Sequence, residues 1–147
     1  MNELTATLDQ IKRLQEAASK LPQATLFTEH FFIPGVYVRW LFRPADTLII
    51  GKVHKKEHMY VICSGEITVI GDGTKERIIG PRVIVSRPGT KRAVYSHTDT
   101  VCLTIHRTDE TDLDKIEAEL IEPDDTAMYD ARNELKRLQD ESLAALP

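Results

Sequence analysis

Cysteine is scarce in this chain. Only Cys63 and Cys102 occur among 147 residues, and neither has a CxxC context. That excludes a disulfide-stapled miniprotein; each lies in an apolar, strand-like run, where cysteine serves as a small buried hydrophobe. No apolar run approaches the roughly 20 residues that cross a bilayer. The N-terminus, MNELTATLDQ, has neither the basic start nor the apolar stretch of a secretory signal. The expectation is a reducing, cytoplasmic setting with no membrane partner. Also absent are a Ser-His-Asp signature, a nucleophile elbow, a Walker A loop, a dinucleotide fingerprint, internal repeats and low-complexity segments. Gly71-Asp72-Gly73 reads as a hairpin turn rather than a phosphate cradle. What is present, 41% hydrophobic and 29% charged residues, describes a folded domain long enough to bury a core.

The mild net charge of −4 hides a segregation. Residues 24–108 carry 12 Lys/Arg against 7 Asp/Glu, residues 109–147 carry 4 against 13, and residues 1–23 balance. Three readings follow: solvated acidic helices, a basic middle that holds an anionic ligand, or an acidic tail covering a basic surface on the same or a neighbouring chain. Nucleic acid is not expected as a partner, because the positive residues form no dense stripe and the tail repels phosphate.

Three zones emerge from periodicity. In residues 1–23, Leu4, Leu8, Ile11, Leu14, Ala18 and Leu21 recur at helical spacing until Pro22. Over residues 24–108 the period falls to two. Strands are expected at 36–43, 47–53, 58–63, 66–70, 76–79, 82–86, 92–96 and 100–107, separated by Gly, Pro, Asp and Ser turns. Such spacing indicates an antiparallel sandwich or barrel. In residues 109–147, Thr111 or Asp112 is positioned to cap a short helix carrying Leu113, Ile116 and Leu120. A second helix is expected around Met128, Ala131, Leu135, Leu138 and Ser142. The plan is an N-terminal helix, a β-barrel and two C-terminal helices.

Four histidines lie in strand-like segments: His54, His58, His97 and His106. On an extended strand, His54 and His58 stand about 13 Å apart on one face. They converge only if Lys55-Lys56-Glu57 forms a corner between strands.

From Arg43 to Arg107 the chain resembles the cupins, small double-stranded β-helix (jelly-roll) barrels. The resemblance lies in Pro44-Ala45-Asp46-Thr47, His54, the run from His58 to Glu66, Gly80, and Ser86-Arg87-Pro88-Gly89-Thr90-Lys91-Arg92. With Gly65 as the last glycine of the first cupin motif, His58 takes the glutamate slot. His54 then takes the second histidine slot and Lys52 the first. In the second motif, Gly89 is the glycine of Pro-x-Gly and Arg92 stands where the final histidine belongs. The chain is also similar to short cupin-like proteins of bacteriophage genomes, in the run from Gly51 to His58 and in the ending His97…His106…Asp112-Leu113. That likeness implies phage or prophage origin, with the host cytoplasm or the virion as location, and brings no reaction with it.

The resemblance leaves His54 and His58 in ligand slots. With His106, which shares a face with Cys102 and Thr104 on the last expected strand, or with His97, they are candidates to hold one divalent transition metal (Zn, Fe or Mn). The alternative is satisfied core or surface histidines. Lys52 and Arg92 fill ligand slots with cations and are candidates to hold an anionic group, or to pair with an internal acid. Glu57 and Tyr60 are the candidates to move a proton, Tyr60 being equally an ordinary barrel filler. Arg39 and Arg43 alternate with Trp40 and Phe42 and are expected on the exterior or rim. Three functions remain open. One is an enzyme of isomerase, epimerase, lyase or dioxygenase type, acting on a small polar or anionic molecule. The second is a non-catalytic ligand-binding barrel, and the third a phage structural or assembly protein. In each, a homodimer is expected from the unmet apolar surface of the helices and barrel edges.

Overall fold

Alternation at a period of two builds the strands here, and turns rich in glycine and proline end them. The computed structural model describes residues 3–24, 26–71, 73–124 and 127–136. Helix α1 (Glu3–Ala18) precedes β1 (Phe27–Ile33), β2 (Val36–Arg43), β3 (Thr47–Ile50), β4 (His58–Ser64) and β5 (Glu66–Gly71). β6 (Thr74–Ile79), β7 (Arg82–Ser86), β8 (Ala93–Ser96), β9 (Thr100–Arg107) and helix α2 (Leu113–Leu120) follow. One antiparallel sheet runs β1-β2-β9-β4-β7, the other β3-β8-β5-β6. Leu41, Ile62 and Cys102 of the first sheet meet Ile67, Val69, Ile78 and Val94 of the second in one buried cluster. Apart from the β1-β2 and β5-β6 hairpins, neighbours within each sheet are distant in sequence, as in a mainly-β jelly-roll barrel.

Several expectations need correction. Phe27–Ile33 is a strand absent from the sequence reading, paired along its length with β2 through the Pro34-Gly35 turn. β3 stops at Ile50, before the expected Val53, and frees the chain to turn at His54. The second C-terminal helix does not form over 128–135. There, Asp130 Oδ1 accepts from the amides of Arg132 and Glu134, Asn133 adopts φ +66°, and Tyr129 bridges Leu135. Such side-chain bonds to nearby amides compete with a helix. Its remainder, 137–147, and the turn residue Asp72 lie outside the described residues. Among the described residues, no helix is long and apolar enough to cross a membrane.

The faces of β2 are also reversed from expectation. Tyr37, Leu41 and Arg43 are buried, and Arg39 shares their side of the strand, where its Nε donates to the Tyr37 hydroxyl at 3.1 Å. Arg39 and Arg43 therefore point inward, and Val36, Val38, Trp40 and Phe42 form the outer face.

Helix α2 is built as the sequence indicates. Asp112 Oδ1 caps it by accepting from the amides of Asp114 and Lys115 at 3.0 and 3.1 Å. Ile116 and Leu120 pack with Ile121 on Tyr37, covering one mouth of the barrel. α1 contributes Ile11, which is almost fully buried, whereas Leu21 lies past the helix end and is exposed.

Gly65 ends β4 at φ +102°, and a Cβ there would stand 2.6 Å from the Asp99 carbonyl oxygen. Gly89 has φ +84° and nothing within 4 Å. Gly89→Ala is therefore expected to lose only the backbone preference, about 1–2 kcal/mol. Gly65→Ala is expected to lose a further 1–3 kcal/mol or so from overpacking. Urea unfolding of the two variants checks this; equal losses would show that the Asp99 strand end gives way freely.

Candidate metal centre

His54, His58 and His106 arrive from three places and meet at the mouth covered by α2. His106 sits on β9, which lies between β2 and β4, so sheet closure brings it beside the first residue of β4, His58. His54 is carried on the segment between β3 and β4, whose bend at Lys55-Lys56 is the corner that the four-residue spacing requires. Ring centroids stand 4.0 Å apart for His54–His58, 4.8 Å for His58–His106 and 5.4 Å for His54–His106. One nitrogen from each ring lies within 4.8 Å of the others.

The surroundings set the charge state of these rings. Burial, followed by the neighbouring imidazoles and Arg39, lowers His54 to about 2. Burial, His58 and Arg39 lower His106 to about 3. Burial also lowers His58, with Arg92 and Arg39 adding to it. All three are neutral at pH 7 and offer lone pairs. His54 Nδ1–H donates to the Lys52 carbonyl at 3.1 Å, and His58 Nδ1–H faces the Lys56 carbonyl at 3.5 Å. Both contacts leave Nε2 as the unprotonated nitrogen. His106 Nε2 lies 3.0 Å from Thr104 Oγ1. Zinc bonds to imidazole of about 2.0–2.1 Å place ligand nitrogens about 3.4 Å apart, so modest ring rotation closes this set around one ion. Neutral, outward-braced imidazoles without a carboxylate fit Zn²⁺, Fe²⁺ or Mn²⁺ with open positions.

A pocket of about 80 Å³ adjoins the histidines inside the barrel, lined in part by Arg43, Lys52, His54, His58, Tyr60 and Arg92. Lys52 and Arg92 thus stand on one cavity with two of the histidines. Lys52 pairs with Glu117 of α2 at 2.5 Å, and burial pulls its ammonium below the usual lysine range. Arg92 Nη1 donates to the Ser86 hydroxyl. Tyr60 is buried, its hydroxyl accepts from Arg43 Nη1 at 3.0 Å, and desolvation raises its phenol far enough to keep the proton on it. Glu57 falls elsewhere. It is exposed and lines an outer groove with Lys56, His106 and Glu119, not the inner pocket. His97 is also remote from the centre, with its Nε2 2.7 Å from Thr68 Oγ1 on the other sheet.

The sequence reading missed several residues around the centre. Tyr37 stacks on His106 at 5.6 Å and its hydroxyl lies 2.6 Å from His30 Nδ1, which joins β1 to the site. Arg43 and Thr104 line the pocket. The signal for Tyr37, Arg39 and Arg43 was their shared parity on β2.

The depressed histidines make stability depend on pH. Their folded pKa values lie below the unfolded value near 6.5, so the unfolded chain binds more protons between the two. The metal-free protein should keep full stability above pH 6.5 and lose it as pH falls toward 3. The slope should approach about 1.4 kcal/mol per pH unit for each ring that stays neutral. Urea midpoints from pH 8 to 4 check this; a flat profile below pH 6 would show that the rings protonate in place.

No protein-family model matches the chain, and no curated protein matches it by sequence. Solved structures do match its fold. A cupin superfamily protein of Desulfitobacterium hafniense superposes with a TM-score of 0.51 at 13% identity, covering 61% of this chain and 84% of that one. The cupin domain of Cnp3 from Schizosaccharomyces pombe gives 0.50 at 18% identity, covering 62% and 71%. Together with the strand order, these likenesses establish that the chain has the cupin fold.

Proposed function

We propose that this barrel holds one divalent transition metal on His54, His58 and His106 and takes a small anionic molecule in the adjoining pocket, as an enzyme of isomerase, lyase or dioxygenase type. The observation that carries the reading is the convergence of three neutral imidazole nitrogens within 4.8 Å of one another. A metal there would supply Lewis acidity to an oxygen of the bound molecule or of water. The protein's own groups do the rest. Arg92 and Lys52 bring positive charge to the pocket wall, and Tyr60 presents a phenol that holds its proton. Glu57 faces the outer groove with His106 and serves proton exchange with solvent on that side. Elemental analysis after loading with Zn²⁺, Fe²⁺ or Mn²⁺ tests the reading. About one equivalent is expected. His54→Ala, His58→Ala or His106→Ala should each cost more than the roughly 10–100-fold in affinity that follows loss of an outer hydrogen-bond partner. His97→Ala should retain the metal. No retained metal under any loading sinks the proposal.

A second part of the reading concerns assembly. The outer face of the five-stranded sheet is largely apolar, interrupted by Glu29 and Arg107, and Phe27, Phe31, Ile33, Met59, Val83 and Val85 are exposed on it. Five strands at about 4.8 Å spacing and seven residues at about 3.3 Å rise make a face of roughly 24 by 23 Å. That approaches the scale of the roughly 800 Å² each partner contributes to a standard interface. The occupant proposed is a second copy of the chain, packed sheet to sheet. Sedimentation equilibrium should return twice the chain mass, and Phe31→Glu with Val83→Asp should return the monomer. A monomeric native chain overturns this. So does a chain that dimerises only after removal of residues 137–147, which would make that segment the occupant.

A further inference from the structure

The positive charges around the histidines differ in how they are answered. Lys52 faces Glu117, Lys91 faces Asp124 and Lys56 faces Glu119. Arg43 faces no acid among the described residues. Its guanidinium is buried inside the barrel, with Nη1 on the Tyr60 hydroxyl and Nε without a hydrogen-bond partner. Cys102 and the ring of Tyr60 also neighbour it, the ring centroid 5.8 Å from the guanidinium carbon. Arginine does not shed its proton in a protein, so this charge stays. A buried cation with neither an anion nor a full set of acceptors is costly to hold. Position explains its presence better than stability does: Arg43 lines the same 80 Å³ pocket as His54 and His58.

We infer that Arg43 is the anchor for a carboxylate, and that the molecule this barrel takes is a small carboxylic acid whose head group lies against the Arg43 guanidinium. The geometry of the pair favours a carboxylate, because the planar guanidinium fork matches two coplanar oxygens. The size of the pocket agrees. About 80 Å³ leaves room for a carboxylate head group. The rest of the acid then extends toward His54 and His58. Tyr60 orients the fork by holding Nη1 and so sets which edge of the guanidinium the acid meets.

This inference deepens the metal-centre reading by naming the head group, and its experiment separates the two. Acetate is the probe and its neutral isostere, acetamide, the control, each titrated into the ¹⁵N-labelled 147-residue chain, metal-free and zinc-loaded. The Arg43 Nε–H resonance should shift saturably with acetate and not with acetamide, in the metal-free chain as well. Arg43→Met should lower acetate affinity at least tenfold while zinc uptake stays at the native level. It should also unfold at higher urea, because it removes an unanswered buried charge. Should Arg43→Met not fold, the native resonance decides. No acetate-specific shift, or acetate binding that survives in Arg43→Met, overturns the inference. Failure of zinc uptake in the native chain would instead remove the metal reading and leave the carboxylate anchor standing.

Discussion

The docking of α2 across the segment from Lys52 to Lys56 is the interaction on which the site depends. The Lys55 amide donates to the Leu120 carbonyl at 2.7 Å, the Glu122 amide to the Val53 carbonyl at 2.9 Å, and His54 bridges Ile121. Three side-chain contacts reinforce these: Lys52 to Glu117, Lys56 to Glu119, and Lys55 Nζ to the Ala118 carbonyl. The segment has left β3 and not yet entered β4, so it has no sheet partner of its own until α2 supplies one. In the barrel, the Gly89 amide holds the His54 carbonyl at 2.9 Å, and the α2 latch adds the contacts on either side of the corner that brings His54 to within 4.0 Å of His58. The charge segregation therefore has a structural cause. Part of the acidic tail lies on the basic corner of the same chain.

The centre beneath that latch is electrostatically unusual. Its three imidazoles are neutral, while Arg39, Arg43, Lys52 and Arg92 raise the potential around them. In such a setting a metal and an anion assist each other, because each offsets the charge that the other finds unfavourable. That assistance is reciprocal by linkage, whichever binds first. On the reading proposed above, the metal and the small acid would belong to one scheme, in a positive pocket walled by neutral imidazoles.

Much of this was legible in the sequence, for reasons that differ by element. β7 and β9 have the expected bounds because their alternation is framed by Pro81, Pro88 and the Ser96–Asp99 turn. Lys52, His54, His58 and Arg92, which the motif slots put together, all line one pocket. His106 followed from its parity with Cys102 and Thr104. Arg39 and Arg43 were placed on the wrong face by the rule that charge points outward. On β2 that rule fails because the opposite face, Val36, Val38, Trp40 and Phe42, is the more apolar of the two. Glu57 faces the outer groove rather than the inner pocket, because adjacency to His58 says nothing about direction: on a period of two, neighbours point apart. The helix expected over 128–135 yielded to local bonds made by Asp130, a competition that spacing alone does not reveal.

The inversion of β2 extends to the whole five-stranded sheet and links the two proposals. Register carries it from strand to strand: Tyr37 opposes His106, Tyr60 opposes Thr104, and His58 opposes Ser86, all inward. Phe31 opposes Val38, Trp40 opposes Leu103, and Met59 opposes both Ile105 and Val85, all outward. In a monomeric sandwich the outer face is ordinarily the polar one. Here the inner face has given up part of its apolar core to Arg39, Arg43, Tyr60 and the histidines, which costs stability. An apolar outer face recovers stability only when something covers it, since exposed phenylalanine and valine contribute little. A sheet with a polar chamber on one side and an apolar surface on the other is intelligible as a wall shared between ligand and partner. In the proposed dimer, burial of that apolar face would offset what the polar interior costs.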